Sequence, residues 1–285
     1  MGHVLVVGSV NVDRLWPLDA PLKAGERITR GEVTLRCGGG GFNTGAALRA
    51  LGHRVTLVAT LSTDAAGRAC RTRLEAMGFD LRALRETDAP TVPLDILVGP
   101  EGERTIIAPA GTEARRLTSL PALEADIAYV NVRRAAPGIL DALAARLPVV
   151  AQVPLERGER RPAQALIASS ADHALFTGAD AYQQARVIGG DDLRLLVVTQ
   201  GAGPVLLCEA EGRSSLPVPP LAAPTETTGA GDAFAAGFVD GLLAGGPAPV
   251  AARRGIEIAG RLLAGAPGFE RAPPLPLATL VTAAG

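Results

Sequence analysis

Residues 3–13 read HVLVVGSVNVD, and the fold turns on how this stretch is understood. The run HVLVVGSV (3–10) is short, β-branched and apolar, and it ends in small residues. It lacks the polar alternation of a half-exposed strand, so it reads as a strand buried on both faces. The same pattern returns in VTLVAT (55–60), DIAYVNV (126–132), LPVVAQV (147–153) and LRLLVVT (193–199). Between these runs lie helix-like segments: NTGAALRALG (43–52), DAAGRACRTRLEAMG (64–78), ILDALAAR (139–146) and PAQALIASSA (162–171). Several close on Gly, as helix C-termini do. Strand and helix in alternation predict an α/β fold of three layers, α/β/α, around a doubly wound and mostly parallel sheet.

Two segments interrupt that rhythm. Residues 12–36 are polar and punctuated by Pro and Gly, and residues 90–108 read as strand, GPEGE turn, strand. Together they are expected to form a small β-sheet lid over a cleft. The core would then comprise 1–11, 37–89 and 109–285. The Ala/Pro/Leu-rich tail (272–285) carries little information.

Composition narrows the function. Hydrophobic residues make up 47% of the 285 and aromatics only 3%, so the core must be built mainly from Ala, Leu and Val. A net charge of −1, from 28 basic and 29 acidic residues, argues against a general nucleic-acid or membrane-surface binder. No apolar run is long enough to span a bilayer, and the N-terminus lacks a signal-peptide pattern. Cys37, Cys70 and Cys208 are widely spaced and odd in number, which argues against a disulfide framework or a structural zinc site. A cytoplasmic protein is expected.

The chemistry-bearing stretch is ETTGAGDAFAAGF (226–238). Small and apolar residues at helical spacing follow Gly229-Ala230-Gly231, which therefore sit at a helix entrance. Unsatisfied first-turn N–H groups and the positive dipole end meet there, and glycine lets an anion approach the backbone. A carboxylate at Asp232 would repel a resting phosphate, so it makes more sense as a base for an attacking hydroxyl. Taken alone, GAGD reads more readily as a glycine turn with Asp232 as N-cap. GGGGFNTG (38–45) again sets glycines before a helix, and Asn43 offers both a donor and acceptors. Alone it could be a glycine turn with Asn43 as cap. Asn11 and Asp13, two apart in GSVNVD, point the same way at the carboxyl end of the first strand, where open α/β sheets bind ligands.

GSVNVD, GGGGFNTGAALRALG and ETTGAGDAFAAGF, in this order, resemble the ribokinase-like (PfkB) carbohydrate kinases. VATLSTDAAGR (58–68) and VVTQGAGPVLL (197–207) fall in family order as well. The resemblance implies an ATP-dependent sugar kinase with Asp232 as catalytic base and Gly229, Ala230 and Gly231 as the anion hole for the γ-phosphate. It implies sugar contacts from Asn11, Asp13, Gly39, Gly40 and Asn43, nucleotide contacts from Thr199 and Gly201, magnesium carried with ATP, and a homodimer through the lid.

The chain departs from that family in places. Glu226 stands where the family usually has Asp, a position associated with a monovalent-cation site, so potassium dependence is in question. Ser62 replaces a usual Gly. Gly178 and Ala181 occupy the Asn and Glu positions of a motif that organises magnesium-bound water, with Asp180 one residue out of register. Reduced metal motifs, together with GERTIIAP, YVNVRR and SSADHALFTGAD, resemble the sulfofructose-kinase and ketohexokinase-like branch. In that comparison Arg27 and Arg133 fall near positions that could meet an anionic substrate group, or else are solvated surface residues. Two alternatives stay open: a nucleoside kinase of the same fold, and a weakened sensor that binds sugar or nucleotide.

Overall fold

The computed structural model describes residues 1–109, 116–156, 158–221 and 226–276, so most of the tail lies outside the described residues. The chain opens with β1 (His3–Gly8), then β2 (Asn11–Pro17) and β3 (Thr34–Gly38), followed by α1 (Gly40–Ala50). Next come β4 (Arg54–Val58), β5 (Thr60–Ser62), α2 (Ala65–Ala76), β6 (Arg85–Thr87), β7 (Leu94–Val98) and β8 (Arg104–Ile107). The second half carries β9 (Ile127–Asn131), α3 (Ile139–Ala144), β10 (Val149–Gln152), β11 (Ala165–Ser169) and α4 (Ala181–Gly189). It ends with β12 (Leu195–Gln200), β13 (Gly203–Glu209), β14 (Gly212–Leu216), α5 (Ala230–Leu243) and α6 (Ala248–Leu263).

Eight strands form one sheet in the order β14-β13-β12-β11-β10-β9-β1-β4. From β12 to β4 every pairing is parallel, and β13 and β14 extend the edge antiparallel. The apolar runs lack alternation because both faces are covered. Val4 and Val6 of β1 join the cluster built with α1, α2, α5 and α6, while Leu5 and Val7 join the cluster that holds residues of α3 and α4. This is the three-layer, mostly parallel α/β fold that the strand pattern predicts.

Residues 162–171 carry β11 rather than a helix. Ala165 to Ser169 are locked into parallel ladders with β10 and β12, so tertiary pairing overrides the helix preference of an alanine-rich stretch.

A second sheet of four strands, β3-β2-β7-β8, is made from the two interrupting segments. β7 and β8 are an antiparallel hairpin, with Asp95 opposite Ile107 and Val98 opposite Arg104. Asn11 and Asp13 belong to this sheet and not to the end of β1. The chain leaves β1 at Gly8 and re-enters extended structure at Asn11, which pairs with Gly38 of β3.

β1 pairs with β4 on one side and β9 on the other, and this reversal of strand order makes a topological switch point. The carboxyl ends of β1 and β9 meet there, with Gly8 opposite Asn131. α1 enters directly above. A Cβ on Gly8 would lie 2.6 Å from Gly41 Cα, so only glycine lets helix and strand approach this closely.

Candidate active site

A cleft of about 1580 Å³ opens at the switch point. Its walls come from the carboxyl ends of the parallel strands, from the second sheet through Leu94, Ile96, Arg104 and Ile106, and from the start of α5.

α1 begins at Gly40, three residues before the predicted start, so Gly40 and Gly41 form its first turn and Asn43 is not its cap. The N-cap is Gly39, whose φ of 92° lies in the left-handed region that favours glycine. The carbonyl of Ser9 accepts from the N–H groups of Gly41 and Phe42, which satisfies the helix entrance from the β1–β2 connection. Asn43 therefore projects from a fixed turn, and its Nδ2 donates to Asp232 Oδ2 at 3.0 Å.

Asp232 is the third residue of α5, whose N-cap is Gly229 at φ 83°. Asp232 is therefore not the cap residue of this helix. It turns instead toward α1 and β9, accepting from Asn43, from Thr44 Oγ1 at 3.3 Å and from Asn131 Nδ2 at 3.4 Å. The side chain is partly exposed to the cleft. Burial pushes it up to about 6, while the bonds from Asn43 and Thr44 and the charge of Arg104 oppose that rise. Asp232 is thus a carboxylate oriented by three donors and ionised near neutrality, which is the state a general base requires.

Asp13 is only 6% exposed and lines the same cleft. Its Oδ1 has no hydrogen-bond partner within the protein. Burial, with the charges of Asp232 and Glu226, pushes it up to about 7 against the pull of Arg36. Asn11, Gly39, Gly40 and Asn43 line the cleft beside it. The glycines here make room for polar side chains: a Cβ on Gly38 would fall 1.8 Å from Asp13 Oδ2, and one on Gly40 would fall 1.9 Å from Asn131 Nδ2.

Gly229, Ala230 and Gly231 line the cleft at the α5 entrance. A Cβ on Gly231 would meet nothing within 4 Å, so nothing in the surrounding protein demands glycine there. Thr199 and Gly201 also line the cleft, in β12 and the turn after it, and Thr199 Oγ1 donates to the carbonyl of Ala168. Every predicted site residue is therefore brought to one cleft.

Sequence reasoning missed Thr44, Asn131 and Arg104. Asn131 was findable, because it is the polar residue ending the buried strand IAYVN at the ligand-binding edge. Arg104 carried no such signal. It reaches from β8 to donate to the carbonyl and the hydroxyl of Thr227, both at 3.1 Å, while the Thr227 hydroxyl bonds the Gly102 carbonyl. The β7–β8 hairpin is thereby tied to the loop that enters α5.

Other expectations resolve differently. Asp180 is an exposed N-cap of α4 and does not line the cleft. Among the described residues no three His, Cys, Asp or Glu side chains converge as a metal site. Arg27 is exposed and outside the cleft wall. Arg133 lines the cleft, but its Nε lies 3.0 Å from Glu156 Oε1, and Arg134 pairs with the same carboxylate. The arginine bearing on Asp232 is Arg104. The three cysteines are buried and unpaired as thiols. No described helix is long and apolar enough to cross a membrane.

A doubly wound sheet with a glycine-bounded helix entrance and an oriented carboxylate at its switch point brings together the parts that phosphoryl transfer needs. In fold, the chain resembles a microbiome-derived acarbose kinase (TM-score 0.74, 19% identity, 98% and 97% of the two chains). It also resembles the ribokinase of Cryptococcus neoformans in complex with ADP (TM-score 0.71, 23% identity, 96% and 97%). In sequence it is 32% identical over 268 residues to the acarbose 7(IV)-phosphotransferase of Actinoplanes sp., covering 88% of this chain and 89% of that one. The family model for pfkB family carbohydrate kinases matches residues 1–147 and 162–264. The chain belongs to the pfkB family, and it is an ATP-dependent carbohydrate kinase.

Proposed function

We propose that Asp232 takes the proton of a sugar hydroxyl as that oxygen attacks the γ-phosphorus of ATP, with ADP as the leaving group. The N–H groups of Gly229, Ala230 and Gly231 would receive the charge that develops on the transferring phosphoryl. The observation that carries this reading is the placement of Asp232, held by Asn43, Thr44 and Asn131 beside an open Gly231. Across the cleft, Asp13, with its free Oδ1, would accept a neighbouring hydroxyl, and Asn11, Gly39, Gly40 and Asn43 would complete the sugar side. Thr199 and Gly201 would run along the nucleotide. Magnesium would arrive as the counter-ion of ATP, held by phosphates and water, since the described residues offer it no carboxylate cluster.

The substrate is a sugar or sugar derivative, and acarbose is the first candidate. The 32% identity to an acarbose phosphotransferase supports that choice. The second sheet would act as a lid. Its β8 strand leaves Ile106 and Ile107 half exposed, an edge suited to pairing in a homodimer. Three free buried thiols accord with a cytoplasmic setting.

The test is ADP release from magnesium-ATP with acarbose, ribose, fructose and inosine as acceptors. Turnover with a sugar acceptor should fall by about 10²–10⁴ in Asp232→Asn, the usual weight of a general base. Unchanged turnover in a folded Asp232→Asn protein would remove Asp232 from the chemistry. Nucleotide binding without any phosphorylated acceptor would favour the sensor alternative.

A further inference from the structure

The family associates the position of Glu226 with a monovalent cation. The residues present do not fit one. A cation of this kind needs carboxylate and carbonyl oxygens that are free to converge on it. At Glu226 one carboxylate oxygen, Oε2, and the main-chain carbonyl are taken by guanidinium groups. Arg36 Nη1, from β3, donates to Glu226 Oε2 at 3.0 Å. Arg271, which follows α6, places Nε 3.3 Å from the same oxygen and donates through Nη2 to the main-chain carbonyl of Glu226 at 2.5 Å. One residue on, the carbonyl and hydroxyl of Thr227 accept from Arg104. The Glu226 side chain is only 15% exposed, so these charges are little screened.

We infer that Arg36 and Arg271 replace the monovalent cation in this chain, fixing the segment 226–229 at the entrance of α5 and supplying its positive charge without potassium. Three features support this assignment. Arg271 grips one residue by both its carboxylate and its carbonyl, the same pair of oxygen types that a bound ion would draw together. Glu226 Oε2 lies 3.0 Å from Arg36 Nη1 and 3.3 Å from Arg271 Nε, and two guanidinium charges this close oppose the entry of a further cation. The anchors come from β3 and from the segment that follows α6, so the loop is clamped from two directions. Arg36 and Arg271 are positioning residues here, because neither is among the residues lining the cleft.

The inference rests on the kinase reading only in taking residues 229–232 as the phosphate cradle. Its test therefore uses binding and unfolding rather than turnover. Magnesium-ADP affinity by calorimetry, and melting of the ligand-free protein, are compared in potassium chloride and in tetramethylammonium chloride at equal ionic strength. For the wild type both should be the same in the two salts, to within about two-fold in affinity, because no ion equilibrium is linked to either. Arg271→Met should bind ADP about ten-fold more weakly in tetramethylammonium, the equivalent of one charge-assisted hydrogen bond. Potassium, but not tetramethylammonium, should restore part of that affinity and raise its melting temperature. Arg271→Lys should stay closer to wild type.

Wild-type affinity or melting that rises specifically with potassium overturns the inference. So does a folded Arg271→Met protein with wild-type affinity and no potassium response. If Arg271→Met does not fold, the wild-type comparison and Arg36→Met carry the same two outcomes. Failure of ADP to bind in either salt would count against the kinase reading, while the ligand-free melts would still decide the role of the arginines.

Discussion

Replacing Asp13 with Asn removes a carboxylate from a place where ionisation is costly. Asp13 is nearly enclosed, its Oδ1 has no partner, and its acidity is weakened from 3.8 to about 7. A folded-state value above the unfolded one means that the native protein holds this proton more tightly than the unfolded chain does. The stability linked to that proton is complete below pH 3.8 and is lost as pH rises through 7. At about 1.4 kcal/mol for each pH unit between the two values, ionised Asp13 costs the fold about 4 kcal/mol at pH 8 and under about 1 kcal/mol at pH 4. Asn occupies nearly the same volume without the charge. Asp13→Asn should therefore be more stable than wild type at pH 8, by up to about 4 kcal/mol, with most of the advantage gone at pH 4. Urea denaturation of both proteins at pH 4, 6 and 8 measures this directly. In the same variant, sugar kcat/KM should fall by about 10² or more, because a buried acceptor for a substrate hydroxyl has been lost. A stability difference that stays constant across this pH range, or a variant weaker than wild type at pH 8, would refute the reasoning.

Three further outcomes are expected. Sugar kcat/KM should fall about ten-fold per pH unit below about pH 6, as Asp232 takes up a proton, and a pH–rate profile reports it. Gly231→Ala should be as stable as wild type or better by about 0.5–1 kcal/mol, since alanine favours a helix and its Cβ meets open space, yet its turnover should fall at least about ten-fold if a phosphate must approach there. Thermal melts and ADP release, run together, separate the two effects. Gly8→Ala should lose about 1–3 kcal/mol in urea, because its Cβ would press on the backbone of Gly41 and force α1 off β1.

The layered fold was legible because burial on both faces leaves a one-dimensional trace, an apolar run without alternation, as in HVLVVG and IAYVN. The site glycines and Asp232 were legible because a helix entrance has a local grammar of glycine followed by a carboxylate or an apolar run. The helix wrongly expected at 162–171 shows where local grammar stops. An alanine-rich stretch has no strong preference of its own, and its two neighbouring strands decide its state. Asn11 and Asp13 were correctly singled out but assigned to the wrong sheet, since a strand that ends at Gly8 and restarts at Asn11 reads as one run.

By itself, the sequence determined that this chain is an α/β protein with a glycine-bounded helix entrance next to a carboxylate, because those features depend on near neighbours. Only the tertiary structure decided that Asn43, Thr44 and Asn131 orient that carboxylate, that Arg104 ties the hairpin to its loop, and that Arg36 and Arg271 close on Glu226. Those contacts join residues that lie 101 to 190 positions apart in most cases, and no local pattern can encode a meeting that exists only once the sheet has wound both ways from its switch point.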